Sequence, residues 1–307
     1  MIHLIKFWAM GCQVSVQLET DQRGASVLRE LPRRFASVES ALTRFDPHSE
    51  LMRLNASAGT WVKVSELLLA NILAARQAAL LTDGLYNPLI LTALIASGYC
   101  HSFEQIGRPE AGLSGAAPDW NHIEVNAKTN EVRIPAESVL DLGGIAKGWV
   151  AMHFADQLAE FGACLLNIGG DMVARGVPQG SLGWLVEVED PLTGEAFATV
   201  TLLDQAICTS GVDYRRWMSA NGEEQNHIID PRTGKSAATD VLSATVIHPY
   251  ATTAEAYAKA VILQGSEAGL SWLNQQWHAS ALVFRRDGAV LATSTFIHER
   301  NTSHETL

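Results

Sequence analysis

Positive charge is scarce in this chain of 307 residues, which has 22 lysine and arginine residues against 33 aspartate and glutamate residues. The formal net charge of −11 argues against a nucleic-acid partner held through bulk charge, because the phosphate backbone would be repelled. An anionic ligand therefore needs local donor groups that overcome this repulsion. Hydrophobic residues make up 47% of the chain, which is enough for one large domain or two small ones with a buried core.

A long uninterrupted apolar run is also missing. The most apolar region, residues 67–99, is broken by Arg76, Asp83-Gly84 and Asn87-Pro88, so it lacks the ~20 apolar residues of a membrane-spanning helix. The first ten residues are too short for the apolar part of a signal peptide and include Lys6. We therefore expect a cytoplasmic protein as the sequence stands, or an exported one if a leader has been removed.

Paired cysteines are absent as well. The four cysteines are Cys12, Cys100, Cys164 and Cys208, and no two of them form a CxxC motif, so neither a zinc site nor a redox motif is predicted. Cys164 and Cys208 lie in apolar, strand-like runs, which predicts ordinary core thiols.

Familiar phosphate- and metal-binding patterns do not occur either. Residues 234–236 read GKS, the end of a P-loop, but Ile229 occupies the place of the required glycine and the following segment is strand-like. The chain contains no GxGxxG fingerprint and no HExxH pair. A nucleotide site, if there is one, must be built in another way.

The hydrophobic pattern that is present alternates between the period of strands and the period of helices. A Gly-, Pro- and Ala-rich loop is predicted over 107–120, and no linker divides the chain. Strands joined in hairpins with a few helices favour an α+β fold over a doubly wound sheet. The predicted strands cover 12–19, 164–167, 184–189 and 243–247, the predicted hairpins 123–134 and 281–293, and the predicted helices 32–42, 65–81, 150–161 and 254–264.

The most informative stretch is DLGGIAKG, residues 141–148. It places Gly143, Gly144 and Lys147 at the start of a predicted helix. Glycines let the backbone approach a ligand closely, the first helical N–H groups point outward, and lysine adds a mobile cation, so the stretch suits an anion. Taken alone, the same stretch is more typical of a plain strand–turn–helix junction.

Three further segments rich in glycine and hydroxyl groups follow it: NIGGDM (167–172), TSGVDYRRW (209–217) and HIIDPRTG (227–234). The first hydroxyl pair, Thr209-Ser210, fits either a polar turn or a phosphate contact. Arg215 and Arg216 fit either surface charges or a diphosphate clamp. Residues 230–234 predict a tight turn after a strand.

In this order the four segments resemble the ApbE family, the FAD:protein FMN transferases, and the resemblance runs from Met10-Gly11 to Gly265. Residues 49–55, SELMRLN, are similar to the SExxxLN stretch of that family. The resemblance implies a single ApbE-like α+β domain of mainly antiparallel sheets flanked by helices over residues 1–300, followed by a polar tail over 301–307. It also implies transfer of FMN from FAD to a Ser or Thr hydroxyl of an acceptor flavoprotein, with release of AMP.

The resemblance further implies roles for single residues. It assigns His227 and Lys147 to catalysis, although a lone histidine is more often a satisfied structural partner. Family members often carry a second histidine just before it, where this chain has Asn226. For Mg²⁺ it implies Ala146 and Glu255. The residues that it implies in contact with FAD are Met10, Asp141, Gly143, Gly144, Lys147, Gly169, Gly170, Asp171, Thr209, Ser210, Gly211, Asp230, Thr233 and Gly234.

The chain departs from the family at positions that matter for a metal. Glu255 replaces an aspartate and Lys259 replaces a threonine, and an ammonium group cannot ligate a cation. Met152 and Asn87 each stand where the family usually has an aspartate. Helix chemistry alone offers another explanation, with Thr252 and Glu255 forming a capping box and Glu255 and Lys259 an i,i+4 ion pair.

These departures leave several interpretations open. Lys259 stands in for the metal as a fixed cation, or a metal site is rebuilt from other groups. Alternatively, the protein binds FAD without transferring anything, hydrolyses FAD as a pyrophosphatase, or has lost the ligand pocket altogether.

Overall fold

The computed structural model describes residues 1–101, 103, 112 and 114–299. Within these ranges the chain forms two compact units. The first, which we call the sheet unit, contains Met1–Arg34, Lys147–Gly211 and the described chain from Thr239 onward. The second, the helix-rich unit, contains Phe35–Ala146 and Val212–Ala238. That residues 1–300 act as one domain stays a prediction, and the predicted tail over 301–307 and residues 107–111 and 113 of the predicted loop over 107–120 lie outside the described residues.

The described chain has helices and strands throughout. The helices are α1 (Gln22–Ala25), α2 (Leu31–Leu42), α3 (Glu50–Ala56), α4 (Glu66–Leu81), α5 (Leu91–Ala96), α6 (Ala146–Leu158), α7 (Ala251–Gln264), α8 (Ser266–Leu273) and α9 (Ser294–Glu299), with short 3-10 turns at Ser26–Glu30 and Trp120–His122. The strands are β1 (Ile2–Ala9), β2 (Cys12–Glu19), β3 (Val62–Lys63), β4 (Glu124–Asn126), β5 (Glu131–Arg133), β6 (Cys164–Ile168), β7 (Asp171–Arg175), β8 (Trp184–Glu189), β9 (Ala196–Leu202), β10 (Ala206–Gly211), β11 (Arg216–Met218), β12 (Glu224–Asn226), β13 (Ile229–Asp230), β14 (Lys235–Ser236), β15 (Val241–His248), β16 (Ser280–Arg285) and β17 (Val290–Ala292).

The sheet unit is built on an eight-stranded antiparallel sheet in the order β1-β2-β6-β7-β10-β15-β16-β17. Successive side chains of a strand point to opposite faces, so β10 sends Ile207 and Cys208 to different sides. Ile207 belongs to an apolar cluster that the β8–β9 hairpin covers with Trp184 and Val186. Cys208 donates from its thiol to the carbonyl of Ala251, on α7, which packs against β10 and β15. One face of the sheet therefore packs against α7.

The helix-rich unit contains α3, α4 and α5 and three small antiparallel sheets. Ser49 and Ser65 cap α3 and α4 with their hydroxyl groups, as serine at an N-cap does. A small core joins Leu94 and Tyr99 to Trp217 on β11, so the two chain segments of this unit are packed on one another.

The structure confirms the predicted α+β fold class. All strand pairs of the described chain are antiparallel. The predicted strand over 12–19 matches β2 to the residue, and both predicted hairpins form as β4–β5 and β16–β17. Within the same ranges, none of the helices combines the length and the apolar composition that a membrane crossing requires.

Two local predictions were wrong, and one strand was missed. Residues 2–9, which gave no strand prediction, form the edge strand β1. The helix after DLGGIAKG ends at Leu158 rather than near residue 161, and Phe161 is exposed because residues 159–162 turn toward β6. The predicted capping box does not form: α7 begins at Ala251, and its N-cap residue Tyr250 makes no side-chain cap.

Candidate functional site

Lys147 and Asp171 form a buried ion pair in the sheet unit. Lys147 is the second residue of α6, and its Nζ donates to Oδ2 of Asp171 at the start of β7. The other carboxylate oxygen of Asp171 accepts from the backbone N–H of Thr209 at 3.2 Å. The Asp171 side chain is only 2% exposed and that of Lys147 is 20% exposed, so the lysine alone reaches solvent.

Glu255 and Lys259 form a second buried pair one turn apart on α7. Nζ of Lys259 lies 3.4 Å from Oε1 of Glu255, 3.2 Å from the Glu255 carbonyl oxygen and 3.4 Å from the hydroxyl of Ser210. Oε2 of Glu255 accepts from the backbone N–H of Gly148 at 3.1 Å. The predicted i,i+4 pair is therefore confirmed, but Glu255 is 2% exposed and points into the sheet unit instead of along the helix surface.

We call Lys147, Asp171, Glu255 and Lys259 the four-charge cluster. Its two ammonium and two carboxylate groups sum to zero formal charge, which is what makes their burial tolerable. Burial by itself lowers the pKa of Lys147, yet the carboxylates of Asp171 and Glu255 outweigh it and hold that pKa above its usual value. Burial likewise works against the charged form of Glu255, but Lys259 and then Lys147 hold the pKa of this carboxyl below its usual value. Lys147 therefore stays cationic.

The glycine turn before β7 lies beside this cluster. Gly169 and Gly170 both have positive φ, at 61° and 98°, and the amide of Gly170 donates to Oδ1 of Asn167 at 2.8 Å. Asn167 thus caps the turn. A Cβ on Gly169 would lie 2.9 Å from the sulfur of Cys12, whereas one on Gly170 would meet nothing within 4 Å. The Gly170 side of the turn is open to a ligand.

The other residues of the sheet unit that the resemblance implies in contact with FAD lie on β10 or in the β1–β2 turn. Those on β10 do not all face the same side of the sheet. Thr209, Ser210 and Gly211 form the end of β10 and not a turn. Because strand neighbours alternate, Ser210 faces Lys259, whereas the hydroxyl of Thr209 bonds to that of Thr245 at 2.8 Å. Met10, with φ of 54°, lies in the turn between β1 and β2.

In the helix-rich unit, Asp141 is already engaged by neighbours. Its Oδ1 accepts from the amide of Gly143 at 2.8 Å, and its Oδ2 lies 3.2 Å from Nε of Arg44. The Arg44 guanidinium stacks over the rings of Phe45 and Tyr99, with distances of 4.3 and 4.5 Å to their centroids. Arg44 therefore fixes the carboxylate that shapes the start of the DLGG turn. Gly144 follows within this turn, and Ala146 is the first residue of α6.

The HIIDPRTG segment forms the predicted tight turn, between β13 and β14. The amides of Thr233 and Gly234 donate to the carbonyl of Asp230, at 3.1 and 2.8 Å. The Asp230 carboxylate accepts from Nε and Nη2 of Arg232 at 2.9 and 2.8 Å, and its side-chain bond raises the pKa of Arg232. The turn borders a cavity of about 260 Å³ that is also lined by Asn87 and Trp120.

His227 lies at the entrance of the same hairpin, half-buried, with its amide donating to the carbonyl of Arg215 at 3.2 Å. Asn226, at the place of the family's second histidine, is a structural residue. Its amide group donates to the carbonyl of Ala237 at 3.1 Å and accepts from the amide of Ile228 at 3.1 Å. Arg216 pairs at the surface with Glu224 of β12 at 3.7 Å.

Sequence reasoning missed three residues that support these segments, two in the helix-rich unit and one in the sheet unit. Arg44 carries no local signal, because its ion-pair partner Asp141 and the ring of Tyr99 are distant in the chain. Asn55, in the SELMRLN segment, exchanges two hydrogen bonds with the backbone of Leu140, at 2.9 and 2.8 Å. The sulfur of Met152 accepts a hydrogen bond from the backbone amide of Ala251 at 3.0 Å. This thioether therefore satisfies the first N–H group of α7.

The four-charge cluster does not suit a divalent metal ion. Hard cations such as Mg²⁺ take oxygen ligands, and an ammonium group has none to offer. Both oxygens of Glu255 face N–H donors, from Gly148 and Lys259. Among the residues that the structure describes, no group of three or more His, Cys, Asp or Glu side chains is placed to hold a metal. The implied pair Ala146 and Glu255 therefore stays a prediction that the donor set does not favour.

Comparison with known proteins identifies the family. The family model described as the ApbE family matches residues 10–284. A relative from Vibrio cholerae serotype O1, named FAD:protein FMN transferase, is 29% identical over 244 residues, covering 76% of this chain and 69% of the relative. One from Klebsiella pneumoniae with the same name is 26% identical over 293 residues, covering 91% and 81%.

Solved structures lead to the same family. The crystal structure of the ApbE protein from Thermotoga maritima superposes with a TM-score of 0.84 at 25% identity, covering 97% of this chain and 99% of that one. Together with the family match over residues 10–284, this shows that the chain belongs to the ApbE family.

Proposed function

We propose that this protein is a FAD:protein FMN transferase. It moves FMN from FAD to a Ser or Thr hydroxyl of an acceptor flavoprotein. The hydroxyl oxygen attacks the FMN phosphorus, the bond from that phosphorus to the bridging oxygen breaks, and AMP leaves with the bridging oxygen. The hydroxyl proton passes to a base, so the products are the FMN phosphoester and AMP.

The observation that carries this proposal is the four-charge cluster beside the open Gly170 turn, in a chain of the ApbE family. Negative charge grows on the transferring phosphoryl group and on the departing AMP, and catalysis consists largely of holding and neutralising these groups. Lys147 and Lys259 are two largely buried lysines, 20% and 16% exposed, and each can offer an ammonium group to a diphosphate. His227 takes the proton of the acceptor hydroxyl in this scheme, an assignment that rests on the family resemblance.

The test uses the purified protein, FAD and an acceptor domain that carries a flavinylation threonine, with its Thr→Val version as a blank. Mass spectrometry of the acceptor should show added FMN, and chromatography should show an equal amount of AMP. The relative from Vibrio cholerae serves as the positive control on the same acceptor.

The other outcomes discriminate between the alternatives. Absence of both products, with the control active, contradicts the transferase. Equal amounts of free FMN and AMP without labelled acceptor would instead indicate a FAD pyrophosphatase. Bound FAD that is released unchanged on denaturation would indicate a binding protein, the alternative that the altered metal-ligand positions leave open.

A further inference from the structure

Lys259 occupies a position built from oxygen atoms. Its Nζ lies within hydrogen-bonding distance of a carboxylate oxygen and the carbonyl oxygen of Glu255, and of the hydroxyl oxygen of Ser210, at 3.4, 3.2 and 3.4 Å. Carboxylate, carbonyl and hydroxyl oxygens are the groups that surround a hard metal cation in proteins. Here an ammonium group, covalently attached to the chain, holds that place.

The charge balance of the site is complete without a metal. Two lysines face two carboxylates in the four-charge cluster, and the second oxygens of both carboxylates accept backbone N–H groups, from Thr209 and Gly148. Before a ligand binds, adding a divalent cation would leave two uncompensated positive charges in this buried site, unless a lysine were expelled into solvent at the cost of its buried pair.

Lys259 also has capacity left for a ligand. Strong hydrogen bonds from an ammonium group to a carboxylate are about 2.7–2.9 Å long, whereas the three contacts of Lys259 are all longer than 3 Å. Its side chain is 16% exposed, so its neighbours cover it only in part. A phosphate oxygen that approaches from the solvent side can therefore gain a shorter and stronger bond than those Lys259 already makes.

We propose that Lys259 is a built-in cation that replaces the divalent metal ion, so that this protein binds and uses a dinucleotide diphosphate without added metal. The proposal rests on the proposed function for the identity of the ligand, FAD. It can be tested separately from the transfer reaction, because it concerns only the cation that binds the diphosphate.

The experiment measures FAD affinity by flavin fluorescence, in EDTA and in Mg²⁺, and Mg²⁺ binding by calorimetry without FAD. Wild type should bind FAD with the same affinity in both conditions, within about twofold, and show no heat of Mg²⁺ binding. Lys259→Met should lose about tenfold or more of its FAD affinity in both conditions, because one charge-assisted contact is gone. Lys128→Met, in the exposed turn after β4, is the matched control and should bind like wild type.

A metal site can then be rebuilt as the reciprocal test. Glu255→Asp/Lys259→Thr restores a short carboxylate and a hydroxyl four residues apart on α7. It should bind Mg²⁺ in calorimetry and regain FAD affinity, about tenfold or more, only when Mg²⁺ is present. Glu255→Gln/Lys259→Met removes both charges of the pair. If this double variant binds FAD like wild type, the weak binding of Lys259→Met comes from the unpaired carboxylate of Glu255 and not from loss of the cation. The proposal is then wrong.

The results also separate this proposal from the proposed function. A wild-type protein that binds FAD about tenfold more tightly in Mg²⁺, or that releases AMP only in Mg²⁺, overturns the replacement of the metal and leaves the transferase intact. Metal-independent FAD binding that depends on Lys259, without any AMP, overturns the transferase and supports the built-in cation.

Discussion

The carboxylate of Glu255, on α7, accepts a hydrogen bond from the backbone amide of Gly148, in the first turn of α6, across 107 positions of the chain. The contact is possible only because residue 148 has no side chain. A Cβ there would lie 2.9 Å from Oε2 of Glu255 and 3.0 Å from the carbonyl carbon and oxygen of Ala251. The final glycine of DLGGIAKG is thus a packing requirement between two helices.

We therefore expect Gly148→Ala to destabilise the protein by about 1–3 kcal/mol, because the backbone of α7 cannot yield as a flexible side chain would. It should also weaken FAD binding, since Glu255 moves away from Lys259. Urea denaturation measures the free energy of unfolding. Gly115→Ala is the control, because a Cβ there meets nothing within 4 Å, and it should change stability by less than about 0.5 kcal/mol. Equal effects of the two substitutions would contradict the packing argument.

The buried pair of Lys147 and Asp171 should behave differently from a surface pair in a double-mutant cycle. Lys147→Met and Asp171→Asn each leave one buried partner unsatisfied and should cost roughly 3 kcal/mol, whereas the double variant should cost less than their sum by about 1–3 kcal/mol. Asparagine keeps the acceptor for the amide of Thr209, so the cycle isolates the ion pair.

The matched surface pair is Arg133 and Glu124, whose side chains are 39% and 46% exposed. Its cycle, with Arg133→Met and Glu124→Gln, should give a coupling below about 1 kcal/mol. Thermal or urea unfolding of the variants provides the data. Similar coupling in both cycles would mean that the Lys147 pair is solvated, against the burial that the structure shows.

The sequence predicted what depends on local pattern. Alternation located β2, a turn sequence within residues 281–293 located the last hairpin, and Asp230 with Gly234 located the tight turn, because each is decided by neighbouring residues. The edge strand β1 escaped prediction because large apolar residues such as Leu4 and Trp8 stay exposed and no polar face marks the strand.

The candidate site was predictable only in part, because distant contacts decide where its side chains point. Glu255 and Lys259 fit a surface helix pair by spacing, and only the approach of Gly148 and Ser210 turns them into a buried cluster. The Thr209-Ser210 pair is split by strand alternation, which became visible only once the segment was known to be a strand. No pattern in the sequence predicted the ion pair of Arg44 with Asp141.

Asn87, where the family usually has an aspartate, gives a prediction with a pH signature. Its amide group donates to the carbonyl of Pro118 at 2.9 Å, and its oxygen accepts from the amide of Leu89 at 2.9 Å. Asn87→Asp keeps the acceptor but sets a buried carboxylate against a carbonyl oxygen. We expect a loss of about 1–3 kcal/mol at pH 7.

The loss in Asn87→Asp should shrink as the pH is lowered toward about 4, because a protonated carboxyl can donate to the Pro118 carbonyl again. Urea unfolding of both proteins between neutral and acidic pH measures this. Asn221→Asp is the control, since the exposed Asn221 only accepts, from the hydroxyl of Ser219, and a carboxylate does so equally well. A pH-independent difference would show that Asn87 does not donate to Pro118.

His248, at the end of β15, should make the sheet unit sensitive to mild acid. Burial lowers the pKa of this histidine to about 4, and its Nδ1 accepts from the amide of Tyr250 at 3.0 Å. An unfolded histidine titrates near ~6.5. Between these pH values the unfolded chain binds a proton that the folded chain does not, so the histidine favours unfolding increasingly as the pH falls.

The contribution of His248 to stability is therefore complete above about pH 6.5 and is lost progressively down to about pH 4, by about 2 kcal/mol once solvent screening is allowed for. His248→Asn keeps an acceptor at the δ position and removes the titration. Urea midpoints at several pH values in this window should fall more steeply for wild type than for the variant. Because the carboxylates titrate alike in both proteins, the difference between the two slopes isolates His248. Parallel slopes would mean that the imidazole takes up its proton without unfolding, through an opening of the Tyr250 turn.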